Sequence, residues 1–129
     1  MENNQQNLAA AGRVLIAALF LVSVLFKLMD YQGTVGWIGS VGLPVPPLAY
    51  VVAVIVELIG GVALIVGFKT RWVAIALAAY SVAAALAFHN NFADPNQLFN
   101  FLKNFAIVGG LLQVIAFGAG SLSLDAKRK

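Results

Sequence analysis

Five polar side chains stand out in this sequence because the residues around most of them are apolar. They are Lys27, Glu57, His89, Lys103 and Asn104. A carboxylate can accept a proton or orient a cation, and ammonium and amide groups can donate hydrogen bonds to an anionic or carbonyl-bearing ligand. The chain has no cysteine, which excludes thiolate catalysis, iron–sulfur ligation and most structural zinc sites. These residue types therefore predict hydrogen-bond and proton chemistry.

Glu57 is the most informative of the five because of where it lies. It is the one charge in residues 48–67, near the middle of that stretch. A helix of this length at about 1.5 Å per residue spans about 30 Å, the thickness of the hydrocarbon core of a bilayer. A carboxylate at that depth costs on the order of 2.5–3.5 kcal/mol, so a partner or a function is expected.

Composition predicts an integral membrane protein. The 129 residues are 61% hydrophobic and 10% charged, with a mean hydropathy of +0.91. Soluble domains carry about 25% charged residues and could not bury this much apolar surface at this size. The net charge of +3 comes largely from the C-terminal tail and one short loop, so it predicts topology in the bilayer and no nucleic-acid partner.

Apolar runs predict an all-α fold, an antiparallel bundle of four transmembrane helices at about residues 8–29, 48–67, 71–88 and 98–118. Residues 1–7 and 119–129 are predicted to be polar tails around this single domain, the first of them mobile. Residues 30–47 are rich in glycine and proline, which favours an interfacial or re-entrant segment anchored by Trp37 over a strong helix. Pro47 suits the first turn of the second span, and Thr70 is expected to cap the third.

Charge asymmetry predicts the orientation of the bundle. Four spans place both termini on one side, which also carries Lys69 and Arg71, whereas the opposite loops carry Asp30 and Asp94 and no base. The positive-inside rule then puts both termini in the cytoplasm. Arg13 lies near that side, and we expect its side chain to extend out to the interface.

Counting along the spans predicts that the polar groups meet in the outer half of the membrane. At about 1.5 Å per residue, Glu57 lies about 13 Å and Lys103 about 7 Å below the outer boundary, and Lys27 lies within about 3 Å of it. Small residues on the same helix faces let membrane helices approach closely and mark the packed interior of the bundle. The glycines assigned to this packing are Gly60, Gly61, Gly109 and Gly110.

Two interpretations of this convergence stay open on the residues alone. In the first, Glu57 and a lysine form a structural ion pair that fixes the register of the bundle, with Asn104 bonded nearby. In the second, the five polar residues line a cavity that binds a small molecule or moves protons. Two lysines and a histidine around one acid favour an anionic or carbonyl-bearing ligand.

Short motifs run in a fixed order through residues 10–125 of the chain. They are Arg13, Phe20 to Lys27, Gly33-Thr34, Gly42-Leu43-Pro44, Glu57, Gly60-Gly61, Gly67-Phe68, Thr70-Arg71, His89, Asn91-Phe92, Lys103-Asn104, Gly109-Gly110, Gly118-Ala119-Gly120, Ser123 and Asp125. Each motif is short, but the ordered set is specific. In this set the chain resembles the DoxX family of small bacterial membrane proteins.

This resemblance implies a four-helix inner-membrane protein that is associated with a membrane oxidoreductase. The family takes its name from a subunit of a thiosulfate:quinone oxidoreductase, and some members resemble parts of membrane oxidoreductase complexes, whereas many others have no assigned activity. The implied partners are the lipid bilayer, oxidoreductase subunits and further copies of the chain. Without cysteine, redox work would need a borrowed cofactor, and quinone is the one that the resemblance implies. A non-enzymatic assembly or permeation component is the alternative.

Overall fold

A computed structural model describes residues 3–127, which form six helices and no strand. The helices are α1 (Asn3–Met29), α2 (Tyr31–Ser40), α3 (Pro46–Val66), α4 (Thr70–Phe88), α5 (Pro95–Phe117) and α6 (Leu124–Lys127). By length and composition, α1, α3, α4 and α5 could each cross a membrane. The predicted fold class, four packed transmembrane helices, is confirmed.

The bundle consists of two helix pairs, α1 with α3 and α4 with α5. Contacts between α3 and α4 join the two pairs. Both ends of the described chain, the turn at residues 67–69 and α6 lie at one end, here called the terminal end. The opposite end, here called the α2 end, carries α2 and the loop at residues 89–94. A core of small and branched side chains fills the space between the pairs: Ala17, Phe20, Leu64, Ala74, Leu77, Ala78, Leu111 and Val114.

Glycines allow the closest approaches between the helices. A Cβ added at Gly60 would lie 2.8 Å from the Leu77 side chain, and one at Gly61 would lie 2.8 Å from that of Leu21. At Gly110 it would lie 3.1 Å from Ile16, whereas at Gly109 no described atom comes within 4 Å. The absence of a side chain is therefore what brings α3 against α4 and α1, and α5 against α1.

The glycine-rich segment contains a helix that the sequence did not predict. The carboxylate of Asp30 accepts a hydrogen bond from the backbone N–H of Gly33 at 3.0 Å and so caps α2. Ile38 is buried, and the Trp37 ring stacks on Phe88 with 6.3 Å between ring centroids. Cap and packing together outweigh the low helix propensity of the glycines, a balance that local composition does not reveal.

Arg13 does not extend to the interface, so that expectation was wrong. Its side chain is only 2% exposed and donates to the carbonyl oxygens of Leu64 at 2.6 Å and Leu122 at 2.5 Å. The last carbonyls of a helix have no partner within that helix, and here the guanidinium satisfies those of α3. The same contacts hold the segment before α6 against the bundle.

The expected cap at Thr70 was also wrong, because the C-terminal segment supplies it. Asp125 accepts hydrogen bonds from the backbone N–H groups of Lys69 at 2.7 Å and Thr70 at 2.8 Å. Thr70 is itself the first residue of α4, and its buried hydroxyl has no hydrogen-bond partner among the described residues. At the N-terminus, α1 begins at Asn3, so the described part of the predicted polar tail is helical.

Candidate functional site

The predicted ion pair of Glu57 is present at the centre of the bundle. Glu57 is 2% exposed, and its Oε2 atom lies 2.9 Å from the Nζ atom of Lys27. The same ammonium group lies 3.2 Å from Oε1. The carboxylate of α3 thus meets the cation of α1 in the position that the depth argument gave, and Lys27 is the lysine that pairs with it.

Tyr80 is a third member of this cluster, and the sequence analysis did not select it. Its hydroxyl donates a hydrogen bond to Oε2 of Glu57. An available signal was its position beside Ser81, which lies on the small-residue face of the third span. A tyrosine hydroxyl in the middle of an apolar helix needs a partner, and Glu57 is the nearest acid in depth. Three spans, α1, α3 and α4, therefore contribute to one polar cluster.

Lys27 is held in place by more than its charge. Its Nζ atom donates to Ser23 Oγ at 2.6 Å, one helical turn earlier, and its backbone carbonyl accepts from the Tyr50 hydroxyl at 3.0 Å. The ring of Tyr31 packs edge-on against Tyr50, with 4.8 Å between centroids. Lys27 also lies in the last turn of α1, where the helix dipole favours a positive charge.

A cavity of about 720 Å³ adjoins this cluster toward the α2 end. All five residues singled out from the sequence border it, and so does Tyr80. The other walls are largely apolar and come from α1 to α5, among them Leu19, Phe20, Trp37, Ile38, Leu48, Val52, Ala53, Ala83, Ala84, Ala87, Phe88 and Ile107. The arrangement is an apolar chamber with charged and hydrogen-bonding groups gathered along part of its wall.

Lys103 and His89 form a second polar group on the wall of this cavity. Lys103 has no ion pair or hydrogen bond with another side chain in the part of the chain described. Burial lowers the pKa of His89 below its ordinary value, and the positive charge of Lys103 lowers it further. Both effects favour the neutral form of His89. Of the charges along this wall, Glu57 and Lys27 neutralise each other, and Lys103 supplies an unpaired positive charge.

Asn104 links two helices beside the same group. Its Nδ2 atom donates to the carbonyl oxygen of Ser81 at 3.4 Å, which joins α5 to α4. No three His, Asp or Glu side chains of residues 3–127 lie together in an arrangement that could hold a metal ion. The donor set on the cavity wall, two ammonium groups beside a carboxylate, suits a ligand with carbonyl or anionic oxygens.

The chain is similar to a family model and to several known proteins. The DoxX family model matches residues 8–90, a range that includes Lys27, Glu57, Tyr80 and His89. Two Escherichia coli K12 proteins are similar over 88% of this chain: "Inner membrane protein YphA" is 32% identical with 85% of its length covered, and "Inner membrane protein YqjF" is 34% identical with 86% covered. No solved structure shows a significant match.

A partial relative has a name that refers to redox chemistry. "Putative oxidoreductase CatD" of Bacillus subtilis is 40% identical over 74 residues, which are 57% of this chain and 54% of that protein.

Proposed function

The chain belongs to the DoxX family, and on that premise we propose that it is a multi-pass protein of the bacterial inner membrane that serves a membrane oxidoreductase. Its cavity, in this proposal, binds the head group of a quinone. The names of YphA and YqjF support the membrane, and the name of CatD supports the redox association. An accessory role is proposed because a chain without cysteine has no thiol redox centre, so that electrons would come through a borrowed cofactor or from a partner subunit.

The observation that carries the proposal is an apolar cavity with oxygen-binding donors on its wall. Its volume of about 720 Å³ lies within the range of roughly 300–1,000 Å³ that small-molecule pockets occupy. A quinone head group has flat apolar faces and two carbonyl oxygens that accept hydrogen bonds. Apolar side chains such as Phe20 and Ile107 would cover the faces, and the ammonium groups of Lys27 and Lys103 would donate to the oxygens.

The residues of the cluster divide the work between them. Lys103 is free of other partners in the described chain, so it would be the main donor to the head group. Glu57 orients Lys27 and would accept or release a proton, and Tyr80 positions the carboxylate of Glu57. A bound quinone takes up two electrons, from a partner oxidoreductase subunit, and two protons to become the quinol.

The orientation of the bundle is part of the proposal. Lys69, Arg71 and Lys127 lie at the terminal end, and Asp30 and Asp94 at the α2 end. The positive-inside rule supports cytoplasmic termini and a cavity in the outer half of the membrane.

A structural role for the ion pair, in a non-enzymatic assembly or permeation component, is the alternative. One observation favours it, namely that Lys27 and Tyr80 already occupy the carboxylate of Glu57. The two roles differ in what a ligand does, so a binding measurement separates them.

Fluorescence of Trp37 offers that measurement, because this residue borders the cavity whereas Trp72 lies in the first turn of α4 at the terminal end. A Trp72→Phe variant leaves Trp37 as the only tryptophan. In nanodiscs, decylubiquinone should quench the Trp37 fluorescence, and the quenching should saturate as the quinone concentration rises. Lys103→Met should weaken this binding by about tenfold or more, since a hydrogen bond to a charged group contributes roughly 1.5–3 kcal/mol.

Two controls make the result decisive. The first is Lys69→Met, at the terminal end, which should leave the binding curve unchanged. The second is Trp37→Phe, in which the fluorescence of the remaining Trp72 measures the quenching caused by quinone dissolved in the lipid. Identical, non-saturable quenching of both tryptophans would contradict quinone binding. Protection against thermal unfolding by thiosulfate, with no effect of quinone, would assign the cavity to a small anion instead.

A further inference from the structure

The surroundings of α3 and α4 differ on the two sides of Glu57. On the terminal side of Glu57, the two helices touch where Gly60 meets the Leu77 side chain. Toward the α2 end, residues of both helices border the cavity, including Ala53 of α3 and Ala84 of α4. Above the level of the ion pair the cavity thus lies between the two helices, and small side chains on α4 leave this space open.

Several apolar residues that border the cavity are also exposed. Leu48 is 60% exposed and Val52 is 49% exposed, and Ala83 is exposed on the facing helix. Val52 is about 9 Å along α3 from Pro46, at about 1.5 Å per residue, so it lies within the span. Apolar side chains exposed at that depth are suited to contact with lipid. The apolar wall of the cavity thus includes exposed side chains at the depth of the lipid.

Helix α2 covers the cavity at its other boundary. Thr34, Trp37 and Ile38 border the cavity from this side. The stacking of Trp37 on Phe88 ties α2 to the end of α4, and the burial of Ile38 ties it to the bundle. Helix α2 thus lies over the α2 end of the chamber, whereas the side between α3 and α4 carries exposed apolar side chains.

We propose that the cavity opens sideways into the bilayer between α3 and α4, and that its ligand is a lipid-soluble amphiphile. The polar head reaches Lys27, Glu57 and Lys103, and a hydrocarbon tail passes between Val52 and Ala83 into the lipid. The inference rests on the proposed binding role and adds to it the route of entry and the need for a tail. A water-soluble ligand without a tail would make no contact with the exposed apolar side chains of Leu48, Val52 and Ala83.

Obstructing the opening tests this route. Ala83→Phe places a large side chain in the opening, and Ala79→Phe places the same side chain one turn away on the same exposed face, at a residue that does not border the cavity. Both variants are made in the Trp72→Phe background and titrated with two probes, decylubiquinone and the same head group without its tail. Val52→Phe obstructs the opening from α3 and provides a second variant should Ala83→Phe fold poorly.

The expected result is selective. Ala83→Phe and Val52→Phe should weaken the binding of decylubiquinone by tenfold or more and leave the tailless head group unaffected, and Ala79→Phe should affect neither. Unchanged decylubiquinone binding in both obstructed variants would overturn the side opening while leaving the proposed function in place. Equal weakening of both probes would also overturn it, because the substitution would then act on the head-group site. Failure of both probes to bind the unobstructed protein would contradict the proposed function itself.

Discussion

At the scale of single residues, the structure explains how a carboxylate is accommodated within the span. Glu57 is nearly inaccessible, and its charge is balanced by Lys27 and by a hydrogen bond from Tyr80. An unpaired acid at this depth is costly, and pairing within the bundle is the usual solution. The sequence predicted the pairing because the charges were few and their depths could be counted. It did not reveal Tyr80, since aromatic residues in spans are common and the hydroxyl partner comes from another helix.

Removal of the Tyr80 hydroxyl tests its role in positioning Glu57. Tyr80→Phe keeps the ring but takes one donor from the carboxylate, so the free energy of unfolding should fall by about 1–3 kcal/mol. Quinone binding should weaken as well, because the carboxylate that orients Lys27 is no longer fixed. Thermal unfolding and the Trp37 titration measure the two effects. Tyr31→Phe, which keeps its ring contact with Tyr50, should change neither, and unaltered quinone binding by Tyr80→Phe would contradict the positioning role.

Acidification tests the state of His89. Because burial and Lys103 lower its pKa in the folded protein below the unfolded value near 6.5, the unfolded chain binds more protons in this range. Stability from this residue is therefore fully present above about pH 6.5 and is lost as the pH falls toward the lowered pKa. Thermal unfolding between pH 7.5 and pH 5 should show this decline. A His89→Asn variant should show a shallower slope, and an equal slope in both proteins would contradict the lowered pKa.

At the scale of helices, the predictions succeeded where the structure depends on a continuous run of residues or on one face of a helix. The apolar runs predicted four spans, and the structure has four helices that could cross a membrane, because length and hydropathy are local properties. The predictions failed where a residue distant in sequence provides the hydrogen bonds at the end of a helix. The cap on α4 comes from Asp125, and Arg13 of α1 satisfies the end of α3. Such partners lie more than fifty residues away in sequence, so local patterns do not reveal them.

The cap on α4 can be tested by a substitution of the same size. Asp125→Asn removes the charge that faces the backbone N–H groups of Lys69 and Thr70, and we expect it to lower the free energy of unfolding by about 0.5–2 kcal/mol. The loss should appear in thermal unfolding without a change in quinone binding, since this cap lies at the terminal end. Lys127→Ala in the same short helix is the matched control. If both variants unfold alike, the cap contributes nothing measurable.

At the scale of the whole molecule, the cavity lies beyond the level at which glycines bring the helices into contact. Gly60, Gly61 and Gly110 bring the spans together, and the chamber lies beyond them toward the α2 end. The sequence predicted that Lys27, Glu57, His89, Lys103 and Asn104 would converge, and the structure places all of them around this chamber. It also predicted that residues 30–47 lie over the pocket, where Thr34, Trp37 and Ile38 border the chamber, but not that they form a helix or that the chamber lies between α3 and α4.

Orientation in the membrane is a property of the whole chain and can be measured directly. A reporter fused after residue 129 should be active if it works in the cytoplasm, as with green fluorescent protein, and inactive if it needs the periplasm, as with alkaline phosphatase. A fusion in the loop at residues 89–94 should give the opposite pattern. Phosphatase activity from the C-terminal fusion would invert the bundle and move the cavity to the inner half of the membrane.

The central claim is that the Lys27–Glu57 pair serves a ligand in a chamber and does not merely hold the bundle together. The most direct test compares the unfolding temperature of the unmodified protein, Glu57→Gln, and Glu57→Gln combined with Lys27→Met, each with and without decylubiquinone. The Lys27 side chain is 21% exposed and borders the cavity, so water can reach its charge when the carboxylate is gone.

If the claim holds, Glu57→Gln costs about 1 kcal/mol or less without ligand, the second substitution restores little, and stabilisation by quinone is clearly reduced in both variants. A structural pair would behave in the opposite way. Glu57→Gln would then lower the free energy of unfolding by about 3–5 kcal/mol, Lys27→Met would restore most of that loss, and quinone would stabilise none of the three proteins. That second pattern would contradict the account.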